Sequence, residues 1–191
     1  MTGAEVIYIW KIRDDYPESL IGEYDRERGP DRFSYKQGKG LDAVPASPPA
    51  FRFNASKNAI RVLDDLANNA MVPLVSSRVA AILSEAGPSD VQLIPAEVVC
   101  KDGVLDGYSI VVVKNRVRGL DHEKSKYKCM PGMKAIMRFE SAVYREDCLG
   151  SLGMARDDEY LSNLLVSERM REALKGIEDL GIYSSAAVDW N

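Results

Sequence analysis

Apolar and polar residues along this 191-residue chain follow two rhythms, and the rhythm changes several times. Residues 5–12, EVIYIWKI, are rich in β-branched and aromatic side chains. They predict a strand with Val6, Tyr8, Trp10 and Ile12 on one face and Ile7 and Ile9 on the other, buried on both sides near its start. From Arg13 to about Arg32, charges of both signs mix without a helical stripe, which predicts a surface loop. Residues 38–54, GKGLDAVPASPPAFRFN, hold three prolines and two glycines and predict a long irregular connection.

A helical rhythm then begins. In NASKNAIRVLDDLANNA, Asn54 and Ser56 are good N-caps and Ile60, Leu63 and Ala67 share a face, so the spacing predicts a helix over 56–69. PLVSSRVAAIL, 73–83, predicts an extended Leu74-Val75, a capping Ser76 and a helix with Val79, Ile82 and Leu83 inward. Gly87-Pro88 should end it, with Gly supplying a left-handed residue. VQLIPAEVV and GYSIVVVKNRV read as strands joined by a turn in CKDGVLDG, and Val111, Val112 and Val113 predict a strand buried on both faces. KAIMRFESAVY, 134–144, is a further strand, and LGSLGMARDDEYLSN, 149–163, a glycine-bearing loop with an acidic turn. A last helix from Ser167 to Glu178 and an extended GIYSSAAVDW complete the chain.

One phrase occurs twice. LLVSERMREAL, 164–174, repeats the Val, Ser, Arg and final Leu of residues 73–83 at the same offsets, ninety-one positions later. Each copy predicts an extended pair, a serine that accepts from orphan N–H groups at a helix start, and a helix leading to a strand. Arg78 and Arg169 fall two residues past the caps, where a positive charge opposes the helix dipole, so each needs an acidic or carbonyl partner. The expected architecture is α+β in a single domain spanning 1–191. It should have a mainly antiparallel sheet, three or four helices and a duplicated helix–strand unit. Residues 1–55 would be a strand plus the Pro/Gly-rich loop and 56–191 the core.

Composition narrows the chemistry. The apolar fraction of 46% and charged fraction of 28% suit a globular chain, and this length buries enough surface to fold without metal or disulfide. Net charge is −4, which argues against general affinity for nucleic acid or anionic membranes. No apolar run reaches a membrane span and the start lacks a leader pattern, so a cytoplasmic protein is expected. Cys100, Cys129 and Cys148 are widely spaced, and with His122 they are too few and scattered for a structural zinc. No phosphate-loop or dinucleotide motif occurs, so no cofactor is expected.

His122 is the one imidazole, in RGLDHEKSKYK, and its neighbours suit a turn capped by Asp121 and Ser125 better than a triad. Asp64-Asp65, Glu146-Asp147 and Asp157-Asp158-Glu159 read as solvated acidic faces. Residues 101–138 hold nine Lys/Arg against four Asp/Glu, whereas 139–191 hold five against eleven. Such asymmetry suits a face that steers a protein partner of opposite sign. The candidate partner-binding residues are Asp157, Asp158, Glu159 and Tyr160, whose acids should speed association with a basic partner. Lys114 to Lys128 is the alternative face, and Tyr127, Tyr144 and Tyr160 are candidate anchors.

PLVSSRVAAILSEAGPSDVQLIPAEVV followed by GYSIVVVKNRVRGLDHEKS resembles the bacterial polymorphic-toxin immunity proteins of immunity family eleven, named after a myxobacterial immunity protein. Val75, Ser76, Arg78, Leu83, Pro95, Tyr108, Leu120, Asp121 and Ser125 stand at the family's places. The resemblance covers about 60–125 and 160–190; Leu180-Gly181-Ile182-Tyr183 keeps a glycine step but shifts its aromatic. It implies a non-enzymatic cytoplasmic antidote that binds a cognate toxin's C-terminal domain and occludes its active site or substrate surface. The residues alone leave two alternatives: a non-catalytic interaction or regulatory module, and a hydrolase centred on carboxylates.

Overall fold

The computed structural model describes residues 6–188 and residue 190. The strands are β1 (Tyr8–Trp10), β2 (Glu23–Tyr24), β3 (Ala50–Arg52), β4 (Leu74–Ser76), β5 (Val91–Cys100), β6 (Gly103–Val113), β7 (Arg116–Val117), β8 (Lys126–Cys129), β9 (Ile136–Ser141), β10 (Met154–Asp157), β11 (Leu164–Val166) and β12 (Ile182–Ser184). The α-helices are α1 (Lys57–Arg61), α2 (Ser77–Ala86) and α3 (Glu168–Ala173). One five-stranded sheet runs β12-β1-β11-β10-β7, a second runs β2-β3-β5-β6-β4, and β8-β9 form a separate ribbon. All pairings are antiparallel except β3 with β5 and β7 with β10. This is the expected α+β domain.

Alternation of side chains sorts the core into three layers. Ile110 and Val112 of β6 face Tyr35, Phe51, Phe53, Ile60 and Leu74. Val111 and Val113 face the opposite way, toward α2, α3, Trp10, Met154 and Val166. Ile7 and Ile9 point to a third layer with Leu165, Phe139 and Tyr144. The triple valine is wholly buried, as its unbroken apolar run predicts.

The duplicated phrase builds the same topology twice. β4 and β5 flank α2 in sequence, and β6 lies between them, antiparallel to both. β11 and β12 flank α3, and β1 lies between them, antiparallel to both. Ser76 Oγ accepts from Val79 N at 3.4 Å and Ser167 Oγ from Met170 N at 3.2 Å. The two arginines find their partners across the seam between the helices. Arg78 donates to the Gly176 carbonyl beyond α3 at 2.6 Å, and Arg169 to the Ala86 carbonyl that ends α2 at 2.9 Å. Each cation is unfavourably placed on its own helix but neutralises the negative end of the other.

Several elements differ from the sequence reading. Residues 13–32 contain β2 and short 3-10 turns, and the Pro/Gly-rich connection contains β3, with Phe51 wholly buried. The helix expected over 56–69 stops at Arg61 because tertiary bonds claim the chain beyond it. Asp64 N and Asp65 N donate to Asp179, and Leu66 N donates to the Leu74 carbonyl. The last helix is shorter than expected for the same reason, its following turn held by Arg78. The turn in CKDGVLDG is only Lys101-Asp102, since Gly103 already pairs with Cys100. Gly87 is not left-handed, at φ −153°; a Cβ there would lie 2.8 Å from Met170 Cε and 2.9 Å from Asp90 Oδ2, so a side chain would have to displace both. Residues 149–163 are not all loop, because β10 runs through the interior between β11 and β7.

Candidate functional site

The acidic stretch divides as β10 leaves the sheet. Asp157 ends β10 and is wholly buried. Tyr144 donates its hydroxyl to Asp157 Oδ2 at 2.7 Å, Glu159 N donates to Oδ1 at 2.9 Å, and Asn163 donates to the Tyr144 oxygen at 2.8 Å. Desolvation pushes this carboxyl above its ordinary value, against the pull of the Tyr144 hydrogen bond. With no exposed surface of its own, Asp157 stands apart from the other three residues of the acidic stretch that the sequence offers as a partner face. Tyr144 is likewise interior and cannot serve as an anchor.

Asp158, Glu159 and Tyr160 are half-buried, and both carboxylates already have side-chain partners. Parallel pairing of β7 with β10 sets Arg116 opposite Arg156 and carries Arg116 and Arg118 to Asp158. The Asp158 carboxylate receives Arg118 at 2.8 Å and Arg116 at 3.4 Å, and the Arg118 hydrogen bond holds its carboxyl below the usual range. Glu159 lies 3.1 Å from His122 Nε2, and His122 Nδ1 meets the Tyr127 hydroxyl at 2.8 Å. Tyr127 and Tyr160 both pack edge-on against Phe139, at centroid distances of 6.0 and 5.2 Å. The acidic and basic stretches that the sequence offers as alternative faces are thus one interlocked face.

Asp121 caps Glu123 N and Lys124 N, as expected of a turn. Ser125 instead reaches across the ribbon and bonds both backbone groups of Val143.

The ribbon adds residues that the sequence reading did not single out. Met130, Met133 and Met137 are exposed around its Pro131-Gly132 tip. Lys126, Lys128, Lys134 and Arg138 flank them, with no acidic residue from 126 to 138. Among the described residues only Lys128 of these four makes an ion pair, with Glu140 at 3.4 Å. The signal was present in CMPGMKAIMR: three methionines around a Pro-Gly turn, bounded by bases.

Of the other acidic pairs, Asp64-Asp65 is structural. Trp10 Nε1 donates to Asp65 Oδ2 at 2.7 Å, and Asp179 lies beside it. Desolvation, reinforced by the Asp179 charge and opposed by the Trp10 bond, pushes the Asp65 carboxyl up to about 7. Between its ordinary value near 4 and about 7, the unfolded chain is ionised there while the folded chain holds a proton. The Asp65 carboxyl therefore costs no stability below that window and a growing amount as pH rises through it, on the order of 4 kcal/mol in all. Urea unfolding from pH 4 to 8 checks this; Asp65→Asn should remove most of the decline.

Among the described residues no three His, Cys, Asp or Glu side chains gather as metal ligands would, and no helix is long and apolar enough to cross a membrane. The charged side chains of the β7–β10 face bind one another, and an exposed basic, methionine-bearing ribbon stands beside them. Such features describe an α+β protein with a basic, methionine-bearing surface beside a cluster of paired charges. A model of the immunity protein family Imm11 matches residues 11–184, and the chain belongs to that family. Comparison with curated proteins found no match. The family match takes in most of the first 55 residues, which the motif resemblance did not cover, in keeping with β2 and β3 being built into the second sheet.

Gly181 is explained by the fold. A Cβ there would lie 2.0 Å from the Lys11 carbonyl oxygen, and Lys11 N donates to the Gly181 carbonyl at 2.9 Å. The glycine step is where β1 and β12 close on each other.

Proposed function

We propose that this chain is the cytoplasmic antidote to a toxin made by the same cell, and that it binds the toxin's C-terminal domain one-to-one without transforming a substrate. Binding occludes the toxin's active site or its substrate surface. Membership of the immunity family is the observation that carries this reading. The face that best suits the partner is the β8–β9 ribbon with the adjoining edge of Asp158, Glu159 and Tyr160. Its methionines can adapt to an apolar patch, and its bases complement an acidic surface.

In this arrangement Asp158 and Glu159 act chiefly by holding Arg116, Arg118 and His122 in place, since Asp158 is bound by both arginines and Glu159 meets His122 Nε2. Charge reversal on the ribbon should therefore matter more than neutralisation of the acids. With the toxin domain encoded beside this chain as the probe, Lys126→Glu with Arg138→Glu should slow association about tenfold and flatten its salt dependence. Asp158→Asn with Glu159→Gln should change the rate by less than about threefold. Stopped-flow association at several salt concentrations checks both. Equal rates for wild type and the ribbon variant would remove the ribbon from the interface.

A further inference from the structure

Two cations are buried beside one cavity, and among the described residues neither has a carboxylate in contact. Arg156 of β10 is 2% exposed and Lys36, at the end of the 3-10 turn Arg32–Lys36, is 6% exposed. Both line a pocket of about 310 Å³. Its apolar walls include Trp10, Leu164 and Met71.

Arg156 Nη1 donates to the Leu161 and Ser162 carbonyls at 3.3 and 3.2 Å, but its Nε and Nη2 have no partner among the described residues. Lys36 Nζ donates to the Ala70 carbonyl at 3.0 Å. Among the described residues neither side chain lies within 4.0 Å of a carboxylate oxygen. The acids on the rim are engaged elsewhere: Asp14 with Lys11 at 2.9 Å, and Asp65 with Trp10. Burial pulls both cations below their ordinary proton affinity, Arg156 to about 10, and Arg156 further depresses Lys36.

A buried guanidinium with two unsatisfied nitrogens is among the costliest polar arrangements a core can hold, and interiors seldom retain one without a counter-charge. The two unsatisfied nitrogens, Nε and Nη2, form the side edge of the guanidinium, which matches two oxygens of a carboxylate or phosphate in a fork; both are covered in the empty pocket, so an anion reaches them by displacing a covering side chain. Met71 at the rim adopts φ 52°, a left-handed conformation uncommon for a residue with a side chain, and such strain clusters at binding sites.

We propose that this pocket binds a small oxyanion, a carboxylate or phosphate group on an apolar carrier, with Arg156 as the bidentate ligand and Lys36 as the second charge. The apolar carrier would lie against Trp10, Leu164 and Met71. The site lies outside the ribbon face and does not depend on the toxin reading.

The test uses the whole chain, labelled with nitrogen-15. The Trp10 indole N–H is followed while benzoate, acetate or inorganic phosphate is added, against chloride at matched ionic strength. Trp190→Phe identifies the Trp10 signal, because the chain has two tryptophans. A saturable shift with at least one of the three anions but not with chloride is expected. Arg156→Met should weaken it about tenfold or more, and the variant should stay folded because it replaces an unpaired buried charge by an apolar side chain of similar length. Lys36→Met should weaken it by a smaller factor and carries the test if Arg156→Met fails to fold.

Saturation in the chain alone assigns the site to a free anion. Competition between benzoate and the toxin domain would show that a toxin carboxylate supplies the oxyanion instead. Absence of saturation with all three anions, or an unchanged response in both variants, overturns the proposal.

Discussion

Replacing Asp157 by Ala should destabilise the fold by about 3 kcal/mol, whereas Ala at neighbouring Asp158 should cost less than about 1 kcal/mol. The two residues are adjacent and chemically identical, so the contrast comes entirely from where β10 ends. Asp157 is wholly buried, and its carboxylate accepts from Tyr144 and from the Glu159 amide. Removing it strands the Tyr144 donor in the interior and frees the half-buried Glu159 amide, and a buried donor without an acceptor costs more than the bond itself contributed. Asp158 is partly solvated between two arginines, and ion pairs of that kind contribute little. Urea unfolding of the two variants at pH 7 checks the contrast; equal effects would mean that Asp157 is not inside the sheet.

Leu83→Ala and Leu174→Ala should each cost about 2–5 kcal/mol. These leucines close the two copies of the repeated phrase, and both are buried in the layer between the sheets. Truncation leaves a cavity between α2 and α3 that close-packed neighbours fill only in part. Since the two helices share one layer and exchange their arginines, the double variant should depart from the sum of the singles. Strict additivity in thermal or urea unfolding would contradict that coupling. Ile82→Ala, on the partly buried side of α2, should cost less than Leu83→Ala.

The elements legible in the sequence were those whose local signals agree with their tertiary setting. Ser76 and Ser167 are caps in both readings because a serine before an apolar stripe has one favourable use. Val111 to Val113 announced a doubly buried strand because no polar residue interrupts them. The arginine partners were predictable as a need, though only the fold shows that each lies on the other helix.

The elements that were missed depend on distant residues. Nothing in NASKNAIRVLDDLANNA reveals that Asp179 will capture the Asp64 and Asp65 amides and end α1 at Arg61. Ala50–Arg52 is short and follows two prolines, so its pairing with β2 and β5 left no local trace. Charge counting suggested two opposed faces because it cannot see that β7 lies beside β10. That parallel pairing, a contact across some forty residues, ties Asp158 and its two arginines into one cluster in which the acid no longer stands apart from the bases. The same limit hid Arg156, which reads as one more base in an acidic stretch and is among the most buried side chains in the protein.

The most direct test of the account is co-expression with the toxin domain encoded beside this chain, followed by purification of the pair and a count of its subunits. Cells should survive only when the chain is present, and the two proteins should elute together in equal number with the toxin inactive. Survival without any complex, or a complex in which the toxin keeps its full activity, would contradict it.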